Sequence, residues 1–204
     1  MFPTAHDITN NPWVRDPCFA VIQSILNRGY DLLIVTKPEL EVIQLFCEIF
    51  RDYRDMIELR FTITSADEEL LKFWEPNAPN FTERLACLEY AYKTGFATSV
   101  SCEPYLDPYV VYTYSACKPY ITDSFWVGKL RGFTNRVKLD DATPELSTKS
   151  NVESNSTMNT LIILPFSVSD NTYNTLWALC RLHPPSGDNY NLRSSSSAFL
   201  QRAI

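Results

Sequence analysis

The chain has 204 residues, 45% of them hydrophobic and 21% charged, which is enough for one packed domain and too apolar for a disordered chain. A net charge of −6, from 24 acidic against 18 basic residues, argues against a concentrated basic face for nucleic acid or anionic membrane. No run reaches the ~18 apolar residues of a membrane helix and no basic leader precedes an apolar core, so a cytoplasmic location is expected.

In chain order, "MFPTAHDIT" reads as the end of a buried strand that delivers His6 and Asp7 to a site. "DPCFAVIQSILNRG" predicts a helix with Asp16 as N-cap, Pro17 at the first helical position and Gly29 just past the end. "YDLLIVTKP" is a short apolar run typical of a strand buried on both faces. Pro38 opens a second helix, whose Leu40, Ile43, Cys47 and Phe50 recur at helical spacing. "MIELRFTIT" is the next strand, and Ser65 with Glu68 forms a capping box for "ADEELLKFW". Residues 81–94 predict a helix ending at Gly95. "FATSVSCEP" and "SFWVGKL" read as strands, joined by a helix within "DPYVVYTYSACKPY".

Alternating strands and helices imply an α/β fold with a parallel sheet and right-handed crossovers, either doubly wound or part of a barrel. Both place the active face at the C-terminal ends of the strands. The groups falling there are His6 and Asp7, Thr36 and Lys37, Thr62, Thr64 and Ser65, Cys102 and Glu103, and Lys129.

Past roughly Lys138 the rhythm stops. Residues 1–138 form the candidate domain, and 139–204 read as a Ser/Thr/Asn-rich, irregular and poorly ordered tail. Within it "TLIILPFSV" is a candidate strand that Pro165 restricts to an edge.

The six cysteines lie 15 or more positions apart in apolar segments, where they act as small hydrophobes of a reducing compartment. There is no CxxC, HxH or HExxH, and the only histidines are His6 and His183. Five glycines form neither GxGxxG nor GxxxxGK[ST], and there is no GxSxG elbow.

In order and approximate spacing, "MFPTAHDIT", "DLLIVTKP", "RFTIT", "FWEPNAPNFTERL", "FATSVSCEPYLD" and "FWVGKL" resemble the spore photoproduct lyase-like branch of the radical S-adenosylmethionine (SAM) enzymes, over about residues 1–138. The resemblance implies a partial (β/α) barrel of parallel strands, with SAM and a [4Fe–4S] cluster as cofactors and lyase-like radical chemistry on an unknown substrate. It also implies that the chain starts at the family's second strand, truncated before the CxxxCxxC loop whose thiolates hold the cluster. On that reading it is inactive alone, unless a complementing N-terminal fragment supplies the loop. The family's namesake acts on damaged DNA, a substrate that the acidic balance here does not support.

Carried over residue by residue, the resemblance places His6 and Asp7 on the methionine ammonium and Lys37 on its carboxylate. Thr62, with Arg60 and Thr64 on the same face by period-two alternation, reaches the ribose or carboxylate. Glu103 meets a ribose or substrate hydroxyl, and Lys129 faces the substrate. Each residue also has a plainer reading. His6-Asp7 can cap the following segment, and Thr62 can be a simple β-former. A buried Arg60 needs an acid and so suits a structural ion pair. Trp74, Glu75 and Arg84 suit a loop locked against the next helix, and Cys102 suits inert packing. Two alternatives stay open: a non-catalytic remnant that binds a SAM-like ligand, and a divalent-metal barrel enzyme using His6, Asp7 and Glu103. Loss of a first strand would leave the next strand's edge unpaired, an aggregation hazard unless "TLIILPFSV" fills that gap.

Overall fold

A computed structural model describes residues 1–3, 5–106 and 109–128, and the backbone of 162–165. The elements are α1 (Pro12–Leu26), β1 (Leu32–Thr36), α2 (Leu40–Ile49), β2 (Ile57–Thr62), α3 (Glu68–Trp74), α4 (Phe81–Lys93), β3 (Ala97–Cys102), α5 (Val110–Cys117), β4 (Ser124–Val127) and β5 (Ile162–Pro165). The fold is α/β. Strands β1 to β4 are parallel and lie in the sheet in chain order.

Consecutive order has a consequence for coverage. Right-handed crossovers between successive strands put every connecting helix on the same face. Tyr114 of α5 packs edge-on against Phe125 of β4 at 5.3 Å, which identifies the helix-covered face. The register then places Thr36, Phe61, Val100 and Phe125 in one row under the helices. Along that face Ile34, Leu59, Phe61, Val100 and Phe125 are buried with Phe46, Leu88 and Val111 of the helices, forming the core. The opposite face carries Leu33, Val35, Glu58, Arg60, Thr62, Ser99, Ser101, Ser124 and Trp126. It is polar toward β2, β3 and β4.

The start of the chain pairs with the sheet through a single bridge and not through the strand that the sequence predicts. Phe2 forms a parallel bridge to Ile34, donating its N–H to the Leu33 carbonyl at 2.8 Å and accepting from Val35 at 3.0 Å. Ile162–Pro165 is an edge strand, antiparallel to β4. Pro165, without an N–H, suits that edge. It pairs at the far side of the sheet from Phe2, so it does not fill the gap that the sequence reading assigned to it. The rest of the tail reading, and Lys129, lie outside the described residues.

Two caps differ from the sequence expectation. α1 begins at Pro12, not Pro17, because the Asn11 side chain accepts from the Trp13 N–H at 3.0 Å. Ser65 and Glu68 do not form a capping box. Asp67 caps α3, accepting from Glu69 and Leu70, while the Ser65 hydroxyl accepts from the Asp67 N–H. Glu68 instead reaches across to the start of α4 and accepts from Phe81 and Thr82. Gly95, with φ of 87°, ends α4 in the left-handed region as the sequence predicts.

Candidate functional site at the strand ends

The C-terminal rim of the sheet is assembled from the N-terminal arm and the ends of β1, β2, β3 and β4. Beyond Phe2 the arm folds over the end of β1, where Ile8 donates its N–H to the Thr36 hydroxyl at 3.0 Å. Thr36 is 2% exposed and serves as the hinge pin of this crossing. Its hydroxyl donates to Asp7 Oδ1 at 3.3 Å, and the same oxygen accepts from the Lys37 N–H at 2.7 Å. Asp7 Oδ2 lies 3.5 Å from Lys37 Nζ, in a pair that is half-open to solvent. The arm is anchored further along by Asn10, which donates to Glu39 and Glu41 on the α2 side.

The rim therefore sets a carboxylate and an ammonium side by side. A long, half-exposed pair is worth little by itself and exchanges readily for other partners. Such a pair offers an acceptor to a cationic group and a donor to an anionic one.

Two strands away from Lys37, about 10 Å by sheet spacing, lies Glu103 at the end of β3. Its Oε2 accepts from the Ser101 hydroxyl at 3.2 Å. The side chain leans across β4 onto Gly128, whose N–H donates to the Cys102 carbonyl at 3.2 Å. Thr62, half-buried, stands between the two groups on the helix-free face.

Below the rim, Arg60 is engaged by β2, β3 and β4. Its Nε donates to Ser99 at 2.9 Å, its Nη2 pairs with Glu58 at 2.8 Å, and its guanidinium lies 4.7 Å from the centre of the Trp126 ring. Asp123 adds a second acid at 3.9 Å and accepts from Ser124, which in turn accepts from Trp126 Nε1 at 2.7 Å. Arg60 is thus the centre of an ion-pair network that ties β2, β3 and β4 together, the structural role its burial demands.

The other sequence candidates separate clearly. Thr64 shares the strand alternation but lies past the end of β2, 1% exposed, with its hydroxyl unpartnered among the described residues. Burial removes it from the rim. His6 is exposed, and its Nδ1 sits 3.1 Å from the adjoining Asp7 carbonyl, not against a carboxylate. Among the described residues no three His, Cys, Asp or Glu side chains gather closely enough to hold a metal ion, so the metal alternative gains no support. Arg84 locks the loop as its plainer reading requires. It is fully buried, donating to Pro79 and Thr62 carbonyls at 2.7 and 3.1 Å and pairing with Glu75 at 2.6 Å.

The five described cysteines do not gather at one point. Cys18, Cys47, Cys87, Cys102 and Cys117 are buried and free, on α1, α2, α4, β3 and α5, while Cys180 lies outside the described residues. The described ones stand on five different elements, and no three of the described His, Cys, Asp or Glu side chains gather closely enough to hold a metal ion.

Sequence reasoning missed Ser101, Gly128, and the partners of Arg60: Glu58, Ser99, Asp123 and Trp126. The signal for the last group was opposite charges at i, i+2 within the strand "IELRFT", which places both on one face.

Compared with models of protein families, with curated proteins and with solved structures, the chain matches none. No helix among the described residues is long and apolar enough to cross a membrane.

Proposed function

We propose that the chain is the SAM-holding wall of a partial (β/α) barrel of the radical SAM type, and that its own activity is binding the cofactor through its amino acid and nucleoside ends. The observation that carries this reading is the Asp7–Lys37 pair, fixed by Thr36 at the C-terminal rim of four consecutive parallel strands. A sheet with helices on one face only is the local architecture of a barrel wall, and barrel ligands sit at that rim. The rim's described charges also suit SAM. Asp7 and Glu103 outnumber Lys37 by one, complementing a ligand whose sulfonium adds a positive charge to a zwitterion. The described cysteines do not gather at one point, so no cleavage step is assigned to this chain.

Isothermal titration of the full chain with SAM, L-methionine and adenosine tests the reading. SAM and methionine should both bind. Asp7→Asn and Lys37→Met should each weaken both by about tenfold, the loss of one charge-assisted contact. Adenosine binding should be unaffected by either substitution. A folded wild-type chain that gives no heat with millimolar SAM would sink the proposal.

A further inference from the structure

Asp7 and Lys37 stand on two segments that are tied together at successive points: the arm, and the stretch from the end of β1 into α2. Asp7 Oδ1 accepts from the Thr36 hydroxyl and the Lys37 N–H, and Ile8 donates to Thr36. Further along, the arm is tied by Asn10. Its N–H donates to Glu39 Oε2 at 2.8 Å and its Nδ2 to Glu41 Oε2 at 2.7 Å. On the other side its Oδ1 accepts from Arg15 Nη1 of α1 at 3.0 Å. An amide suits this place because it offers N–H to a carboxylate and an oxygen to a guanidinium at once. An aspartate of the same shape has only acceptors.

The carboxylates that hold Asn10 give up other work to do so. Glu39 stands at the N-cap of α2 yet makes no cap bond with its side chain. Glu83 reaches over from α4 in its stead and accepts from the Leu40 N–H at 3.0 Å. Asn10 itself is exposed, so its bonds bury little and contribute little to global stability. Their effect is on position.

We infer that Asn10 is a positioning residue of the rim: by clamping the arm to the start of α2 through Glu39 and Glu41, it fixes the spacing between Asp7 and Lys37. This rests on the SAM-binding reading and adds to it a residue that touches no ligand. A ligand that engages both side chains breaks the 3.5 Å ion pair between them, which is itself one tie between the two segments. The clamp survives that loss and keeps Asp7 facing Lys37. Without it the arm must be ordered at the moment of binding, and that cost appears as lost affinity.

The test compares the full-length wild type with Asn10→Asp and with the double variant Asn10→Asp/Glu41→Gln. Asn10→Asp puts a carboxylate against Glu39 and Glu41 and removes the donor. The double variant exchanges the amide and the acid, so the donor now comes from position 41. Backbone amide exchange at Ile8 and Lys37, measured without ligand, reports whether the arm stays on β1. Calorimetric titration with SAM and L-methionine reports the rim.

Asn10→Asp should speed exchange at both amides and weaken both ligands by about two- to tenfold. Its melting temperature should stay within about 2 °C of wild type, as for other exposed positions. The double variant should regain most of the affinity and the slow exchange. In an Asp7→Asn background, Asn10→Asp should weaken methionine no further, since it acts through Asp7. Unchanged exchange and affinity in Asn10→Asp, or a double variant as weak as the single one, overturns the inference and leaves the reading of the rim standing. A fall in melting temperature with faster exchange throughout the chain also overturns it, because Asn10 is then part of the general scaffold. A wild type that binds neither ligand removes the reading of the rim, while exchange at Ile8 and Lys37 still decides whether Asn10 sets the arm.

Discussion

Arg84 holds the end of β2 from beneath: its Nη1 donates to the Thr62 carbonyl at 3.1 Å while its Nη2 pairs with Glu75 at 2.6 Å. One guanidinium thus joins helix α4, the 75–80 loop and the strand whose last residue stands on the rim. Arg84 is fully buried and the Glu75 side chain is 15% exposed, so the pair is largely shielded from water. Removing one member of a buried pair strands the other, at a cost near the lower end of 3–5 kcal/mol because Glu75 keeps some solvent. Arg84→Met should therefore destabilise the chain by about 3 kcal/mol in urea unfolding. Adding Glu75→Gln to it should recover part of that loss, and strictly additive effects would contradict the pairing.

The start of α1 offers a discriminating pair of substitutions. Both Asn11-Pro12 and Asp16-Pro17 are cap-plus-proline signals, and apolar periodicity favours the second because Cys18, Phe19 and Ile22 begin the buried face there. The structure uses the first. Asn11→Ala should cost about 1 kcal/mol in thermal or urea unfolding, the usual worth of an N-cap. Asp16→Ala, which removes only an exposed pair with Arg15, should change stability by less than about 0.5 kcal/mol. The reverse ranking would restore the later start.

This helix illustrates which features were legible. Elements were visible wherever burial writes a period into the chain: the apolar run of β1, the alternation of β2, the 3.6 spacing of α2. The five residues by which α1 extends toward its N-terminus, 12–16, are exposed or half-buried and leave no such trace. Asp7 and Lys37 were legible as candidate residues because both read as following strands, and strand ends converge in parallel sheets; their pairing was not legible. The Thr36 hydroxyl that binds Asp7, and the contact between Glu103 and Gly128, were not legible. They depend on which strands are neighbours and on how a side chain leans across one of them. Thr64 was misplaced for a related reason: alternation predicts a face only while the strand continues, and β2 ends at Thr62.

Alkaline stability should be limited by the thiols. Burial raises Cys47 to about 11 and Cys87 to about 12, against an unfolded value of 9.0. Above pH 9 the unfolded thiols lose protons that the folded ones keep, so the unfolded state binds fewer protons and stability falls as pH rises. The contribution is fully present below pH 9 and is lost as pH rises toward the folded values, at about 1.4 kcal/mol per thiol per pH unit. Cys47→Ala and Cys87→Ala should each flatten the fall in stability between pH 9 and 11, measured by urea midpoint against pH. Burial raises Cys18, Cys117, Tyr105 and Tyr114 in the same direction, so a residual slope remains in the double variant. A wild-type profile that stays level to pH 11 would contradict the burial of both thiols.

The buried hydroxyl of Thr64 supplies the last prediction. Thr64 and Thr113 are 1% and 0% exposed, and neither hydroxyl has a hydrogen-bond partner among the described residues. An unsatisfied buried hydroxyl carries a desolvation cost of about 1–3 kcal/mol that folding does not return. Valine has nearly the same shape without the oxygen. Thr64→Val and Thr113→Val should therefore leave stability unchanged or raise it by about 1 kcal/mol in urea unfolding. Thr62→Val, at the half-buried strand end, provides the contrast: its stability should change little, while its affinity for SAM should fall if the hydroxyl meets the ligand. Thr64 is the sharper case because the family resemblance puts it on the cofactor and the structure puts it inside. SAM affinity within twofold of wild type, together with unchanged or higher stability, is the outcome its burial requires. A tenfold loss of affinity at undiminished stability would return Thr64 to the rim.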